Sequence, residues 1–118
     1  MKIEPNYCEV GSALDIIVGK WKPLILLTLI EKDEPVRFNQ LHKSIPEISQ
    51  KVLTKQLREL ESENIIMRQV FPEVPPRVEY SMTSYGLTLF PILDAMHKWG
   101  EKHQQLKLKD EKPHNNIM

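Results

Sequence analysis

Three cations recur at helical spacing. Lys51, Lys55 and Arg58 stand at i, i+4 and i+7, with Gln50 and Thr54 beside them. On an α-helix that spacing gathers them on one face. Lys and Arg bind phosphate oxygens, and Gln and Thr add hydrogen bonds that reach base edges, so the group suits a helix laid against DNA. Val52, Leu53, Leu57 and Leu60 fall on the other side as an apolar stripe. Ser49 is a good N-cap, which sets the expected helix at Ser49 to Glu63 and adds a further hydroxyl at its N-terminal end. Glu59, Glu61 and Glu63 cluster toward the other end. The N-terminal half, with the positive end of the helix dipole, is therefore the half suited to approach phosphates. Taken alone, the same pattern also describes an ordinary solvated helix face.

A second basic feature follows. Arg68 and Arg77 flank the segment Pro72-Glu73-Val74-Pro75-Pro76. Residues 66–72 and 77–82 alternate in the period-2 manner of strands, which gives a β-hairpin with a stiff, Pro-rich tip. An arginine there is suited to phosphate or minor-groove contact. Pairing of Arg77 with Glu73 or Glu79 is the competing reading, and the sequence leaves both open.

Other chemistry finds little support. His42, His97, His103 and His114 do not recur at i, i+4, and Cys8 is the sole cysteine, so no zinc spacing and no intrachain disulfide arise. Four glycines form no phosphate loop, and no local motif aims a nucleophile. The expectation is a protein that is not an enzyme and has no metal or cofactor. Cys8 precedes a helix, whose dipole favours the thiolate, while Glu4 and Glu9 oppose it. It is either a reactive thiol or a small packing residue.

These residues need elements to position them. Ser12 and Asp15 resemble a capping box for a first helix that stops at Gly19. Trp21-Lys22-Pro23 opens a second helix whose set Leu24, Ile25, Leu27, Leu29 and Ile30 places it in the core. Val36 is a very short strand. Arg37 to Ile45 is a short helix ended by Pro46. Asn64 is a C-cap for the cationic helix. Thr83 or Ser84 caps a long final helix with Leu87, Phe90, Leu93, His97 and Trp99 on its apolar side. Trp21 and Trp99 are read as core and interface anchors. The order helix, helix, short strand, helix, helix, strand, strand, helix is a mainly α fold with a small β-hairpin, the winged helix-turn-helix arrangement.

Composition bounds this further. The 118 residues fit one domain, expected over 1–108, with a disordered tail over 109–118. Lys plus Arg and Asp plus Glu are 16 each, which excludes a uniformly basic coat but not a basic face. The run Leu24 to Ile30 is far short of the ~20 residues that span a bilayer, and residues 1–7 lack the apolar core of a signal peptide, so a cytoplasmic location with no membrane partner is expected.

Several segments taken together resemble the HxlR-type family of bacterial winged-helix regulators. They are Gly19-Lys20-Trp21 with Leu24-Ile25-Leu26, Arg37 to Leu41, Ile48 to Leu60, Val74 to Thr83, and Trp99-Gly100. The resemblance implies a homodimeric repressor or activator that binds double-stranded DNA. Its first and last helices would form the dimer interface, the helix from Ser49 to Glu63 would read DNA, and the Pro-Pro-Arg hairpin would be the wing. It also implies that Cys8 matches an N-terminal cysteine that senses oxidants or electrophiles in some members. Three departures stand out: Asp33-Glu34 and Asn64 occupy places where glycine is usual, and Glu9 follows Cys8 where proline is common. The expected sites are thus Ser49, Gln50, Lys51, Thr54, Lys55, Arg58 and Arg77 for a palindromic operator, with Cys8 as a redox site. The operator, the regulated genes and any small-molecule effector stay unnamed. A winged helix that binds protein rather than DNA is the rival reading.

Overall fold

The computed structural model describes residues 9–110. In chain order the elements are α1 (Glu9–Ile17), α2 (Trp21–Lys32), β1 (Val36–Arg37), α3 (Phe38–Ser44), α4 (Gln50–Ser62), β2 (Ile66–Phe71), β3 (Arg77–Met82), α5 (Ser84–Leu87) and α6 (Phe90–Asp110). The chain divides into two compact units, the first ending at Thr88 and the second starting at Leu89.

In the first unit the core is built where the helical stripes meet the sheet. Ile25, Leu26 and Leu29 of α2, Leu41 of α3, and Leu53, Leu57 and Leu60 of α4 are all buried, as are Ile65, Ile66 and Tyr80. Truncating one of these leucines to Ala costs about 2–5 kcal/mol, because a cavity adds to the lost transfer energy. Expectation and structure differ in detail along α2. Leu26 is fully buried whereas Leu24 is 42% exposed, so the buried stripe is rotated from the one proposed.

The sheet is antiparallel with order β1-β3-β2. β3 is central, and its Tyr80 faces Val36 on one side and Arg68 on the other. The hairpin places Phe71 directly opposite Arg77.

Two breaks use left-handed backbone without glycine. Asp33 (φ 55°) closes α2, its N–H donating to the Leu29 carbonyl at 3.2 Å. Asn64 (φ 62°) follows α4 in a Schellman arrangement: its N–H donates to the Glu61 carbonyl and that of Ile65 to the Leu60 carbonyl. Asp and Asn tolerate this region better than other side chains, which accounts for both replacements of the usual glycine.

Two helix starts differ from expectation. Ser12 does not cap α1; it lies inside the helix, and its hydroxyl donates to Glu9 Oε1 at 3.2 Å. Thr83 does cap a helix, accepting from the Gly86 N–H at 2.8 Å, but that helix is the four-residue α5. Pro91 explains the interruption. It has no N–H for the Leu87 carbonyl, and its ring crowds that carbonyl, so the chain turns at Thr88–Leu89 before α6 begins.

The second unit is the helix α6, which runs through Asp110. It exposes Phe90, Ile92, Met96, Leu106 and Leu108, and Trp99 is 67% exposed and stacked on His103 at 4.9 Å rather than packed in a core. Cys8 and residues 111–118 lie outside the described residues.

Candidate nucleic-acid interface

α3 and α4 form the helix-turn-helix, and three local devices set the turn between them. Ile45, before Pro46, is extended, which ends α3. Glu47 then takes a left-handed conformation (φ 71°). Ser49, at the N-cap of α4, accepts from the Val52 N–H at 3.1 Å. His42, on α3, ties the turn from behind, with its Nε2 2.8 Å from the Ile48 carbonyl oxygen. The ring nitrogen donates there, since a carbonyl can only accept.

This turn presents the outer face of α4. Gln50, Lys51, Thr54, Lys55, Arg58 and Glu59 line one open hollow of about 640 Å³. Beneath it Leu53, Leu57 and Leu60 are buried to within 1%. The five polar residues expected on the reading face are thus brought together. Ser49 stands at the end of that face, with its oxygen engaged in the cap.

The cations of this face are not equivalent. Neither Lys51 nor Arg58 has an ion pair among the described residues, whereas Lys55 Nζ lies 2.9 Å from Glu59 Oε2. The other oxygen of Glu59 receives Lys22 Nζ from α2 at 2.6 Å, and that side chain is only 14% exposed. Hydrogen bonds from Lys22 and then Lys55 lower the Glu59 pKa from 4.5 to about 2, so the carboxylate is charged throughout the neutral range.

The wing differs. Arg77 lies between two carboxylates, Nη2 at 2.7 Å from Glu73 Oε2 and Nη1 hydrogen-bonded to Glu79, with its guanidinium carbon 3.7 Å from the centre of the Phe71 ring. These contacts, that of Glu73 first, raise the already high arginine pKa and hold Glu73 below the usual carboxylate range. Arg77 therefore does not join the cations of α4; it braces the hairpin. Arg68 is likewise engaged, its Nε 3.2 Å from Glu61 Oε1 at the end of α4. The wing tip and the start of α3 border a cleft of about 380 Å³ that includes Arg37, Asn39, Glu73 and Pro75.

The supporting contacts missed in the sequence are those of Lys22, Glu59 and His42 and the link from Thr83, expected only as a cap, to Asn64. Glu59 had a signal, since it stands four residues after Lys55. Lys22 is 37 residues distant from Glu59 and had none. The Thr83 hydroxyl joins the two regions, donating toward the Asn64 carbonyl at 2.7 Å where α4 gives way to the wing.

Among the described residues no cluster of His, Cys, Asp and Glu is arranged to hold a metal ion, and no helix is long and apolar enough to cross a membrane.

A capped helix carrying a cationic face, set by a tight turn and flanked by a three-stranded sheet with a β-hairpin, defines a winged helix-turn-helix DNA-binding protein. The comparisons agree. The HxlR-like helix-turn-helix family profile matches residues 16–108. An HTH-type transcriptional regulator of Methanothermobacter thermautotrophicus is 51% identical over 96 residues, which are 81% of this chain and 72% of the relative. YdeP of Bacillus subtilis, another HTH-type transcriptional regulator, is 50% identical over 97 residues, 82% of this chain and 74% of its own. Among solved structures, the redox regulator HypR in its reduced form superposes with a TM-score of 0.78 at 44% identity, covering 85% of this chain and 97% of that one. The reduced form of the transcriptional regulator YodB from B. subtilis gives 0.69 at 37% identity, covering 80% and 90%. The chain belongs to the HxlR family of helix-turn-helix transcriptional regulators.

Proposed function

We propose that this regulator acts in the cytoplasm as a homodimer that reads a palindromic operator with α4 and regulates transcription by occupying it. The carrying observation is the hollow on α4, where Gln50, Lys51, Thr54, Lys55 and Arg58 meet over a buried leucine stripe. In this reading Lys51, Lys55 and Arg58 contact phosphates, and Gln50 and Thr54, with Ser49 at the helix start, reach base edges in the major groove. Arg77 acts mainly by keeping the wing in shape, because a phosphate must displace Glu73 and Glu79 to reach it.

Dimerisation through α1 and α6 is supported by their exposed apolar residues, Val10 and Leu14 on the one, with Val18 just past its end, and Phe90, Ile92, Met96 and Trp99 on the other. Exposed apolar surface on this scale is characteristic of an interface. Two reading helices related by a twofold axis match half-sites about 10 bp apart, or a multiple of that. Selection from a pool of random duplexes tests the reading directly. The expected product is a palindrome with that spacing, and a monomer in sedimentation at micromolar concentration would overturn the dimer.

Cys8 is the proposed sensing thiol. The support is similarity to HypR, a redox regulator, and to YodB, whose diamide-treated form has also been solved. Operator affinity measured before and after diamide, in wild type and Cys8→Ser, decides it. A response in wild type alone supports the switch, and an equal response in both proteins or none in either sinks it.

A further inference from the structure

The one carboxylate that lines the cationic hollow of α4 is held there from another helix. Lys22, from α2 and nearly buried, fixes Glu59 through Oε1 at 2.6 Å, while Lys55, 70% exposed, comes to Oε2 at 2.9 Å. The two contacts differ in kind. An exposed i, i+4 pair is weak, and Lys before Glu is its weaker orientation, so Lys55 leaves readily for a phosphate. Lys22 does not leave, because a nearly buried ammonium needs its partner. Glu59 is thus a fixed competitor for a mobile lysine. The neighbouring acid Glu61 does not serve the same purpose, since its Oε1 is taken by Arg68.

We propose that Glu59 is a specificity-determining residue that keeps Lys55 from phosphates on unmatched DNA and releases it only where α4 is seated on its operator. Non-specific binding is almost wholly phosphate contact, so a cation withheld there lowers non-specific affinity most. On a matched site the base contacts hold the helix close, and Lys55 exchanges Glu59 for a phosphate at little cost. Away from DNA both oxygens of Glu59 are engaged by lysines. This role rests on the reading of α4 as the DNA-contacting helix.

The test uses the full chain, the duplex that wild type selects from a random pool, and a scrambled duplex of the same composition. Glu59→Gln keeps an oxygen for Lys22 and removes the charge that holds Lys55. Scrambled-duplex affinity should rise roughly fivefold per protomer at ~0.1 M salt, with the salt slope steeper by about 0.9, as for one added phosphate contact. Affinity for the selected duplex should change less, so the ratio between the two falls. In Lys55→Gln/Glu59→Gln the gain on scrambled DNA should disappear, which assigns it to Lys55. Should Glu59→Gln fail to fold, Lys22→Met/Glu59→Gln removes the nearly buried charge with its partner and should show the same fall in ratio. An unchanged ratio and slope overturn the role of Glu59. If Lys51→Ala/Lys55→Ala leaves both affinities unchanged, the reading of α4 fails and the role of Glu59 with it. If that variant weakens binding while Glu59→Gln does nothing, the reading stands and only the role of Glu59 is lost.

Discussion

The outer face of α4 and the wing both carry cations, yet they hold them in opposite ways. On α4, Lys51 and Arg58 have no ion pair among the described residues, and Lys55 has one exposed partner. On the wing, Arg77 is closed between Glu73 and Glu79 and lies on Phe71, and Arg68 is paired with Glu61. Periodicity supplies part of the difference, and tertiary pairing the rest, since Glu61, three residues after Arg58, is taken by Arg68. In a strand, residues i and i+2 share a face, so Glu79 necessarily accompanies Arg77. In the helix, the neighbours of Lys51 at i+3 and i+4 are Thr54 and Lys55, neither of which is an acid. Cation content alone therefore does not locate a DNA-binding surface; the availability of each cation does.

The largest expected effect breaks the joint between the two regions. A Cβ on Gly86 would stand 2.0 Å from the Ile65 carbonyl oxygen, and that backbone leads from α4 into β2. Gly86→Ala should destabilise by at least ~3 kcal/mol, the upper end for overpacked sites, because backbone rather than a flexible side chain must move. Urea denaturation checks this, and a near-neutral result would mean that the joint is pliable. Next, Lys51→Ala/Lys55→Ala should lower affinity for the selected duplex by roughly 100-fold or more and reduce the salt slope there by about 1.8 per protomer. Titrations at several salt concentrations measure both.

Arg77→Ala sharpens the contrast. Its melting temperature should fall, since Glu73 and Glu79 are left facing each other, while the salt slope of DNA binding stays at the wild-type value. A slope reduced by about 0.9 would instead make the wing arginine a phosphate contact. The smallest effect is on acid stability. The Glu59 pKa is lowered from 4.5 to about 2, so its pairing with Lys22 and Lys55 stabilises the folded chain at pH above 4.5 and is lost as pH falls toward 2. The drop in melting temperature between about pH 5 and about pH 3 should be smaller in Glu59→Gln than in wild type.

Much of this was legible from the chain. The limits of α4 follow from Ser49 and Asn64, whose side chains suit a cap and a left-handed residue, and the local hydrogen bonds they make need no distant partner. The hairpin follows from alternation and its proline tip. The long final helix was less legible, because apolar spacing continues across Thr88 and Leu89 while the break comes from Pro91 four residues after Leu87. Ser12 was misread for a related reason: Ser-x-x-Asp fits a cap or an interior turn equally well, and only the position of the helix start separates them.

The sequence by itself determined which side chains share a face, since periods of 3.6 and 2 are properties of the backbone and require no fold. It therefore determined that Gln50, Lys51, Thr54, Lys55 and Arg58 stand together, and that Leu53, Leu57 and Leu60 oppose them. Only the tertiary structure decided which of those cations are available. Lys22 reaches Glu59 because α2 crosses behind α4, and Arg68 reaches Glu61 because β2 returns past the end of that helix. Such pairings depend on distances of a few ångströms between segments far apart in the chain, and Coulomb attraction and hydrogen bonding fall off too steeply for spacing along the sequence to reveal them.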